Sequence, residues 1–238
     1  MATRSCAYCG FSEATTFDHV FSRGLYGDHV ISQTQLLTVP ACQTCNNGFS
    51  DDEALFRNVI TIAGEPNFAV NDLWTGKIQR GFSQVDGRKR AGQLASLMQP
   101  AEGLPNRYLI FPAQIPAVLR IVRKIVRGLC HHHRLLTAVR DEQVLADILR
   151  FQIPDEFSHD MHLHCVHPQV ARYQYTLIGE FGIHSAWLIE FFNRTPFVCI
   201  VYDTIGTRRA AEAYVNTATE QGEVGDANDS SGSPDVLF

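Results

Sequence analysis

The sequence contains no run that approaches the roughly 20 consecutive apolar residues of a membrane-spanning helix. Its first ten residues also lack the apolar stretch of a secretory signal peptide. We therefore expect a cytoplasmic protein with no membrane partner. Thiols stay reduced in that compartment, so closely spaced cysteines there are more often metal ligands than disulfides.

The sequence also lacks the overall excess of basic residues that many nucleic-acid-binding proteins carry, because its formal net charge is −5. The charge is, however, unevenly distributed. Residues 1–140 contain 15 Lys and Arg against 10 Asp and Glu, whereas residues 141–238 contain 5 against 15. A basic first part followed by an acidic second part is compatible with an enzyme that acts on nucleic acid, and also with chance unevenness within one domain.

Four cysteines form two CxxC pairs, Cys6 with Cys9 and Cys42 with Cys45. Each pair can present two thiolates on one side of a tight turn, and two such turns complete a tetrahedral zinc site. Four thiolates leave no open coordination position, so the pattern predicts a structural zinc. The 32 residues between the pairs exceed the usual zinc-ribbon spacing, which indicates a substantial insert.

The insert and the segment after the last cysteine carry polar residues that suit phosphodiester chemistry. The insert contains FDHVFSR at 17–23, and NNGFS at 46–50 follows Cys45. This arrangement resembles the HNH, or ββα-metal, nuclease family in its four-cysteine form, over about residues 6–53. The resemblance implies a zinc-stabilised ββα-metal module.

The resemblance also implies a role for each of three residues. Asp18 would bind a catalytic divalent cation, His19 would be the general base that activates water, and Asn46 would supply a second metal contact. Carboxylate and amide oxygens suit Mg²⁺ or Mn²⁺, and a histidine titrates near neutral pH. A second pair, Asp28-His29, is an alternative to the first. Glu53 could either join the site on one helix face with Asn46 and Ser50, or complete a capping box with Ser50.

The remaining sequence predicts an α+β fold in three parts. These are the zinc module at 1–64, an accessory domain at 65–210 and an acidic tail at 211–238 whose composition favours disorder. The module ends in a helix from about Asp51 to Ala63. The accessory domain is expected to hold a long helix from Gln114 to about Leu136, a short helix from Asp141 to Phe151, and an antiparallel sheet. Three alternating segments predict its strands: YQYTLIGEF, HSAWLIEFF and PFVCIVYD.

Several basic residues are candidates for contact with the phosphate backbone. Four of them recur at helical spacing opposite the apolar stripe of the long helix, which could form a basic ridge or an ordinary solvated face. A fifth directly follows the Asp-His motif. The five are Arg23, Arg120, Arg123, Lys124 and Arg127.

The other cysteines and the histidine groups carry weaker patterns. Cys130, Cys165 and Cys199 stand singly among apolar neighbours and are interpreted as core residues. His162 and His164 could share a strand face, but no further ligand spacing completes a metal site.

The sequence therefore predicts a metal-dependent HNH endonuclease that acts on DNA, with RNA as a possible substrate. The rival hypothesis is a non-catalytic zinc module that binds nucleic acid or protein. In a third hypothesis the second domain regulates a defence or toxin nuclease. The oligomeric state is left open, a homodimer included.

Overall fold

The computed structural model describes residues 4–150 and 160–222 and has an α+β fold. Its helices are α1 Asp28–Ile31, α2 Gln43–Asn47, α3 Ser50–Ala63, α4 Phe68–Leu73, α5 Gln79–Phe82, α6 Gly87–Ser96, α7 Pro116–His132 and α8 Ile205–Gly222. Its strands are β1 Thr16–His19, β2 Thr38–Ala41, β3 Met98–Pro100, β4 Tyr108–Ile110, β5 Val144–Ile148, β6 His162–His167, β7 Ala171–Glu180, β8 Ile183–Phe191 and β9 Thr195–Tyr202. The described residues also form three 3₁₀ turns, at Arg23–Leu25, Pro112–Gln114 and Asp141–Gln143, and one π-helical turn, at Trp74–Ile78.

The first part of the chain follows a strand–strand–helix order. Strands β1 and β2 pair antiparallel, with Asp18 opposite Val39 and His19 opposite Thr38. Helices α2 and α3 come directly after β2. The predicted helix at 51–63 is confirmed, and it starts at Ser50, with the backbone of Phe49 rather than the Ser50 side chain at the cap.

The second part contains a five-stranded antiparallel sheet in the order β5-β9-β8-β7-β6. Its three longest strands are the three predicted from alternation. In β8, Ser185, Trp187, Ile189 and Phe191 are buried while the residues between them are half-exposed, as expected of a sheet covered on one face.

Helix α7 packs against this sheet and against α3. The predicted apolar stripe is confirmed, since its members are all fully buried: Val118, Val122, Ile125, Val126 and Leu129. The helix is shorter than predicted, because it begins with Pro116 in its first turn and ends at His132. The buried apolar side chains of the zinc module, α7 and the sheet form one continuous cluster.

The predicted short helix from Asp141 to Phe151 is wrong. Only Asp141–Gln143 forms a 3₁₀ turn, and the next five residues are the edge strand β5, while Phe151 lies outside the described residues. The segment is a strand because Val144 and Ala146 alternate into the core and pair with Val201 and Cys199 of β9. This nonlocal pairing overrides the local helical pattern.

The predicted disordered tail begins too early. Residues 205–222 form helix α8. The start of α8 is fixed by Arg208, whose Nη1 donates to the carbonyl oxygens of Val144 (2.7 Å) and Glu142 (3.2 Å). The part of the prediction that concerns residues 223–238 lies outside the described residues. Among the described helices, none combines the length and the apolar character needed to cross a membrane.

Candidate metal centre and nuclease motif

The four cysteines of the two CxxC pairs come together, as predicted. The Sγ atoms of Cys6, Cys9, Cys42 and Cys45 all lie within 4.8 Å of one another. Four sulfurs at about 2.3 Å from a tetrahedral zinc would be roughly 3.8 Å apart, so a cluster of this size is compact enough for such a site. The residues present therefore fit a zinc ion, and this four-cysteine group could hold one.

Backbone hydrogen bonds shape both cysteine turns for thiolates. Cys42 caps α2, and its Sγ accepts from the backbone N–H of Cys45 at 3.5 Å. In the other turn, burial raises the pKa of Cys9, but hydrogen bonds from the backbone of Ser12 and Phe11, together with side-chain hydrogen bonds to Ser12 and Cys6, lower the pKa to about 6. Donors aimed at a ligand sulfur are the outer-shell contacts expected of a metal site.

The two turns are also tied to each other and to the hairpin. The backbone N–H of Ala7 donates to the carbonyl oxygen of Pro40 in β2 at 2.8 Å. Gly10 closes the first turn with a φ of 76°, a conformation that residues with a Cβ rarely adopt. The cluster thus joins the chain before β1 to the chain after β2, and fixes the start of α2.

The remaining cysteines fall into two environments. Cys130 and Cys199 are fully buried, which confirms their interpretation as core residues. Cys165 is exposed, so that interpretation is wrong for this residue. It lies in β6, an edge strand with less cover than the central strands.

Asp18 is buried, and its carboxylate is already engaged. Its Oδ2 accepts from Tyr8 Oη at 2.6 Å and lies 2.7 Å from Nζ of Lys124. Burial, followed by the charge of Asp18, raises the pKa of Tyr8 well above its ordinary value, so Tyr8 remains a hydroxyl donor. The carboxylate is therefore neutralised from within the protein.

Lys124 is the centre of this buried network. Its Nζ also lies 2.8 Å from Glu53 Oε1 and 2.8 Å from the carbonyl oxygen of His19. The other carboxylate oxygen of Glu53 accepts from Ser22 Oγ at 2.9 Å. Lys124 is fully buried, and the predicted capping-box role of Glu53 is wrong because its carboxylate makes these contacts instead.

Both alternatives for the cations of α7, a basic ridge and a solvated face, are wrong for Lys124 and Arg127. Lys124 and Arg127 are buried, and Arg127 donates to the carbonyl oxygens of Val139 (2.7 Å) and Tyr8 (2.8 Å). Arg120 pairs with Asp52, and Arg123 pairs with Asp141 at 2.8 Å. Two of the four cations are thus buried, and the exposed Arg120 and the half-buried Arg123 are paired with carboxylates, so the four side chains join α7 to the rest of the protein.

His19 and Asn46 are differently placed relative to Asp18. In β1 the side chains alternate, so that His19 shares a face with the exposed Phe17 and lies opposite to Asp18. Asn46 lies on the Asp18 side, and its Nδ2 donates to Thr16 Oγ1 at 3.1 Å. The structure brings Asn46 to the strand that carries the motif but does not bring the three predicted residues to one point.

The arrangement of the helices explains why Asn46 and Glu53 are separated. Helix α2 ends at Asn47, and α3 begins at Ser50. The continuous helix needed to align Asn46, Ser50 and Glu53 on one face is therefore absent from this described segment.

The alternative pair Asp28-His29 lies at the start of α1, where both residues are exposed. Oδ2 of Asp28 pairs with Nη2 of Arg80 at 2.5 Å, and the hydrogen bond from Arg80 lowers the pKa of Asp28. The carboxylate of this second pair is therefore also bound to a cation of the protein.

Neither aspartate, as arranged, fits a divalent cation. Asp18 has an ammonium where a metal would bind, and Asp28 has a guanidinium. A metal at Asp18 would have to displace Lys124.

His133, directly after α7, and His164, in β6, form an aromatic cluster with Tyr173 between the end of α7 and the sheet. His133 Nε2 is 2.8 Å from Tyr173 Oη, and the His164 ring stacks on Tyr173 at 4.9 Å between centroids. These residues border a cavity of about 460 Å³ that Cys165 also lines. Across residues 4–150 and 160–222, the four cysteines are the one group of three or more His, Cys, Asp or Glu side chains close enough to share a metal ion.

Comparison of the chain with protein-family models, with curated proteins and with solved structures finds no match. The similarity to HNH nucleases therefore depends on the motif residues of the zinc module.

Proposed function

We propose that the chain is an HNH-type endonuclease that hydrolyses phosphodiester bonds of DNA, in the cytoplasm, with a structural zinc at the four cysteines. The observation that carries the proposal is the position of the motif. His19 ends β1 and Asn46 lies in α2, and the four-cysteine cluster joins the two segments that flank the hairpin. A metal-fixed hairpin and helix would hold the reacting groups on rigid elements, as catalysis requires.

In this proposal His19 takes the proton from the attacking water. Its side chain is half-exposed on the open face of β1, so water and a phosphodiester could reach it. Its backbone is fixed by the bond from Lys124 to its carbonyl oxygen. Zinc has no chemical step, because four thiolates leave it no open position.

A divalent cation, Mg²⁺ or Mn²⁺, would polarise the phosphate and stabilise the leaving oxygen. Asn46 and Asp18 are its expected ligands. The ammonium of Lys124 holds Asp18 at 2.7 Å, and His19 lies on the opposite face of β1. This assignment therefore requires Lys124 to leave Asp18 when the cation binds, and the end of β1 to rearrange so that His19 faces the same phosphate.

The test is nicking of supercoiled plasmid by the zinc-loaded chain with Mg²⁺, Mn²⁺ or no added divalent cation. We expect metal-dependent nicking by the wild type and by His29→Ala, and a loss of at least about 100-fold in His19→Ala, the usual contribution of a general base. Full activity in His19→Ala would remove His19 from the mechanism. Loss in His29→Ala alone would move the base to the second Asp-His pair.

One observation favours a second function, a zinc module that binds nucleic acid or protein without cutting. Lys124 neutralises the carboxylate that the nuclease would need for its metal. This hypothesis predicts a folded, zinc-loaded chain that binds DNA with a steep dependence on salt and cuts it with none of the cations tested. Any metal-dependent nicking that His19→Ala abolishes would exclude it.

A further inference from the structure

Five basic side chains from separate elements lie around the turn that follows the Asp-His motif. Lys77 and Arg57 contact the turn itself, Arg80 pairs with Asp28 just after it, and Nη1 of Arg90 lies 3.9 Å from the position that a Cβ on Gly81, next to Arg80, would occupy. We call these five residues the basic cluster. They are Arg23 in the 3₁₀ turn at 23–25, Arg57 in α3, Lys77 in the π-helical turn, Arg80 in α5 and Arg90 in α6.

The contacts of the central residues show that they are neighbours. Nζ of Lys77 donates to the carbonyl oxygens of Tyr26 (2.6 Å) and Arg23 (3.4 Å). Nη1 of Arg57 lies 3.8 Å from the position that a Cβ on Gly24 would occupy. Both cations therefore flank the same turn, which directly follows Ser22.

Four of the five cations have no carboxylate partner among residues 4–150 and 160–222; the exception is Arg80, which pairs with Asp28. Asp51 and Asp86 border the same cavity as Arg90 without pairing with it, and two carboxylates close to Arg57 and Lys77 are engaged elsewhere. Glu53, one turn before Arg57 on α3, binds Lys124 and Ser22. Asp72 accepts from the backbone N–H groups of His29 and Val30 in α1. The cluster thus keeps an excess of positive charge.

The like charges act on one another. Burial lowers the pKa of Lys77, while Asp28 opposes that effect. Arg23, Arg57 and Arg80 lower the pKa of Lys77 further. Burial also lowers the pKa of Arg57, and the charge of Arg90 adds to it. A half-buried guanidinium whose charged neighbour is another cation would be stabilised by an anion.

The π-helical turn that carries Lys77 is an independent feature of the same place. Single π-helical turns are rare and frequently occur at functional sites. Here the turn spans Trp74–Ile78 and places Lys77 against the carbonyl oxygens of the turn at 23–26.

We propose that the basic cluster binds phosphate groups, and that its ligand is the phosphodiester backbone of a nucleic acid held beside the Ser22–Arg23 turn. Arg57 and Lys77 would bind one phosphate next to this turn, and the exposed Arg23 and Arg90 would bind its neighbours along the backbone. Five cations from separate elements suit a chain of phosphates better than a single anion. The statement that the basic cluster lies beside a cleavage centre rests on the proposed function. The binding of phosphate groups by the cluster does not.

The test is the binding of a fluorescently labelled DNA duplex to the zinc-loaded full chain, with no added divalent cation, between about 50 and 200 mM salt. The variants are Arg57→Gln, Arg23→Gln, Arg90→Gln and the pair Arg57→Gln/Arg90→Gln. Arg57→Lys keeps the charge. Arg209→Gln is the matched control, because Arg209 is exposed on α8, at the far end of the sequence.

Each lost phosphate contact should reduce the slope of log K against log salt by about 0.9. We expect that loss in each Gln variant, about tenfold weaker binding in the double variant, and nearly wild-type behaviour in Arg57→Lys and Arg209→Gln. Equal zinc content and thermal midpoint would show that each variant is folded. Unchanged slopes in all the cluster variants, or an equal loss in Arg209→Gln, would overturn the proposal.

Titration with inorganic phosphate separates two sources of the same chemistry. Weak phosphate binding that Arg57→Gln removes, together with tight duplex binding, supports a nucleic-acid backbone. Tight phosphate binding with no duplex binding would overturn the assignment to nucleic acid. The two proposals can fail separately. If the wild type never cuts DNA but the cluster variants bind it more weakly, the phosphate-site proposal stands and the nuclease proposal is overturned. If the wild type cuts DNA but the cluster variants bind it as tightly as the wild type, the nuclease proposal stands and the phosphate-site proposal is overturned.

Discussion

The zinc module and the sheet region of this protein differ in the length and the cover of their strands. The strands of the module have four residues each, and half-exposed or exposed residues occupy most of β1. The strands β7, β8 and β9 have eight to ten residues. Buried residues alternate along β8 and β9 and at the start of β7, in a core around Trp187. A two-stranded hairpin is marginal by itself, whereas the sheet buries enough apolar surface to stabilise its own pairing. We therefore expect zinc at the four cysteines to add, in the module, to the apolar burial that stabilises the sheet.

Lys124 connects the two regions. It belongs to α7, the helix that packs on the sheet, but its ammonium binds Asp18 and Glu53 of the module. Together with Arg127, which reaches the backbone of Tyr8, it fixes the module on α7. The motif that we propose as the nuclease site therefore depends on a residue far from it in sequence.

Removing zinc should have the largest effect and should separate the two regions. Structural zinc contributes roughly 10–16 kcal/mol in zinc-finger peptides, so Cys45→Ser or a strong chelator should unfold residues 4–49. The sheet should keep the slow hydrogen exchange of β7, β8 and β9. Zinc content and hydrogen exchange by mass spectrometry give the measurement, and Cys165→Ser, outside the cluster, is the control. Loss of protection in the whole chain at once would show that the regions do not differ in this way.

Lys124→Met should have the next largest effect. Removing one partner of a buried ion pair leaves the other charges uncompensated, at a cost of about 3–5 kcal/mol. The loss should appear as a lower urea midpoint. Lys89→Met, which removes an exposed lysine, should change little.

A compensated variant tests whether the charges themselves are responsible. Adding Asp18→Asn and Glu53→Gln to Lys124→Met removes the two carboxylates and should recover part of the lost stability. A Lys124→Met variant as stable as the wild type would show that the ammonium does not hold the module on α7.

The smallest expected effect is a dependence on pH in the sheet region. Burial, and then the charges of His164, His132 and His162, lowers the pKa of His133 to about 4. The unfolded value is about 6.5, so between these values the unfolded chain binds more protons than the folded chain. Stability should therefore be greatest above pH 6.5 and should fall as the pH drops towards 4.

The measurement is the urea midpoint between pH 7 and pH 5. His133→Gln should make the curve of urea midpoint against pH shallower. The pH dependence that remains should come from His164 and His167, whose pKa values burial also lowers. His29→Gln, at an exposed position, should leave the curve unchanged. A wild-type midpoint that is constant over this range would contradict the assignment.

The features that the sequence predicted well are those set by local spacing. Two CxxC pairs predicted the cysteine cluster, because each turn needs only its own residues. The apolar period of α7 and the alternation of β7, β8 and β9 predicted those elements for the same reason.

The features that it missed depend on distant partners. Glu53 lies 71 residues from Lys124 in the chain, so helical spacing alone could not tell a buried bridge from a solvated ridge. Strand β5 likewise needs β9 to form. One signal was available, since Ile121, one turn before Lys124 on α7, is apolar and widens the apolar arc of the helix towards Lys124.

The most direct test of the central claim, that His19 is a general base on a metal-fixed hairpin, is chemical rescue. His19→Gly should bind one zinc and the same DNA duplex as the wild type but should not nick plasmid DNA in Mg²⁺ or Mn²⁺. Added imidazole should restore nicking, and the rescued rate should rise with pH through the imidazole pKa, because the neutral form accepts the proton. His19→Gly that cuts at the wild-type rate without imidazole would contradict the claim.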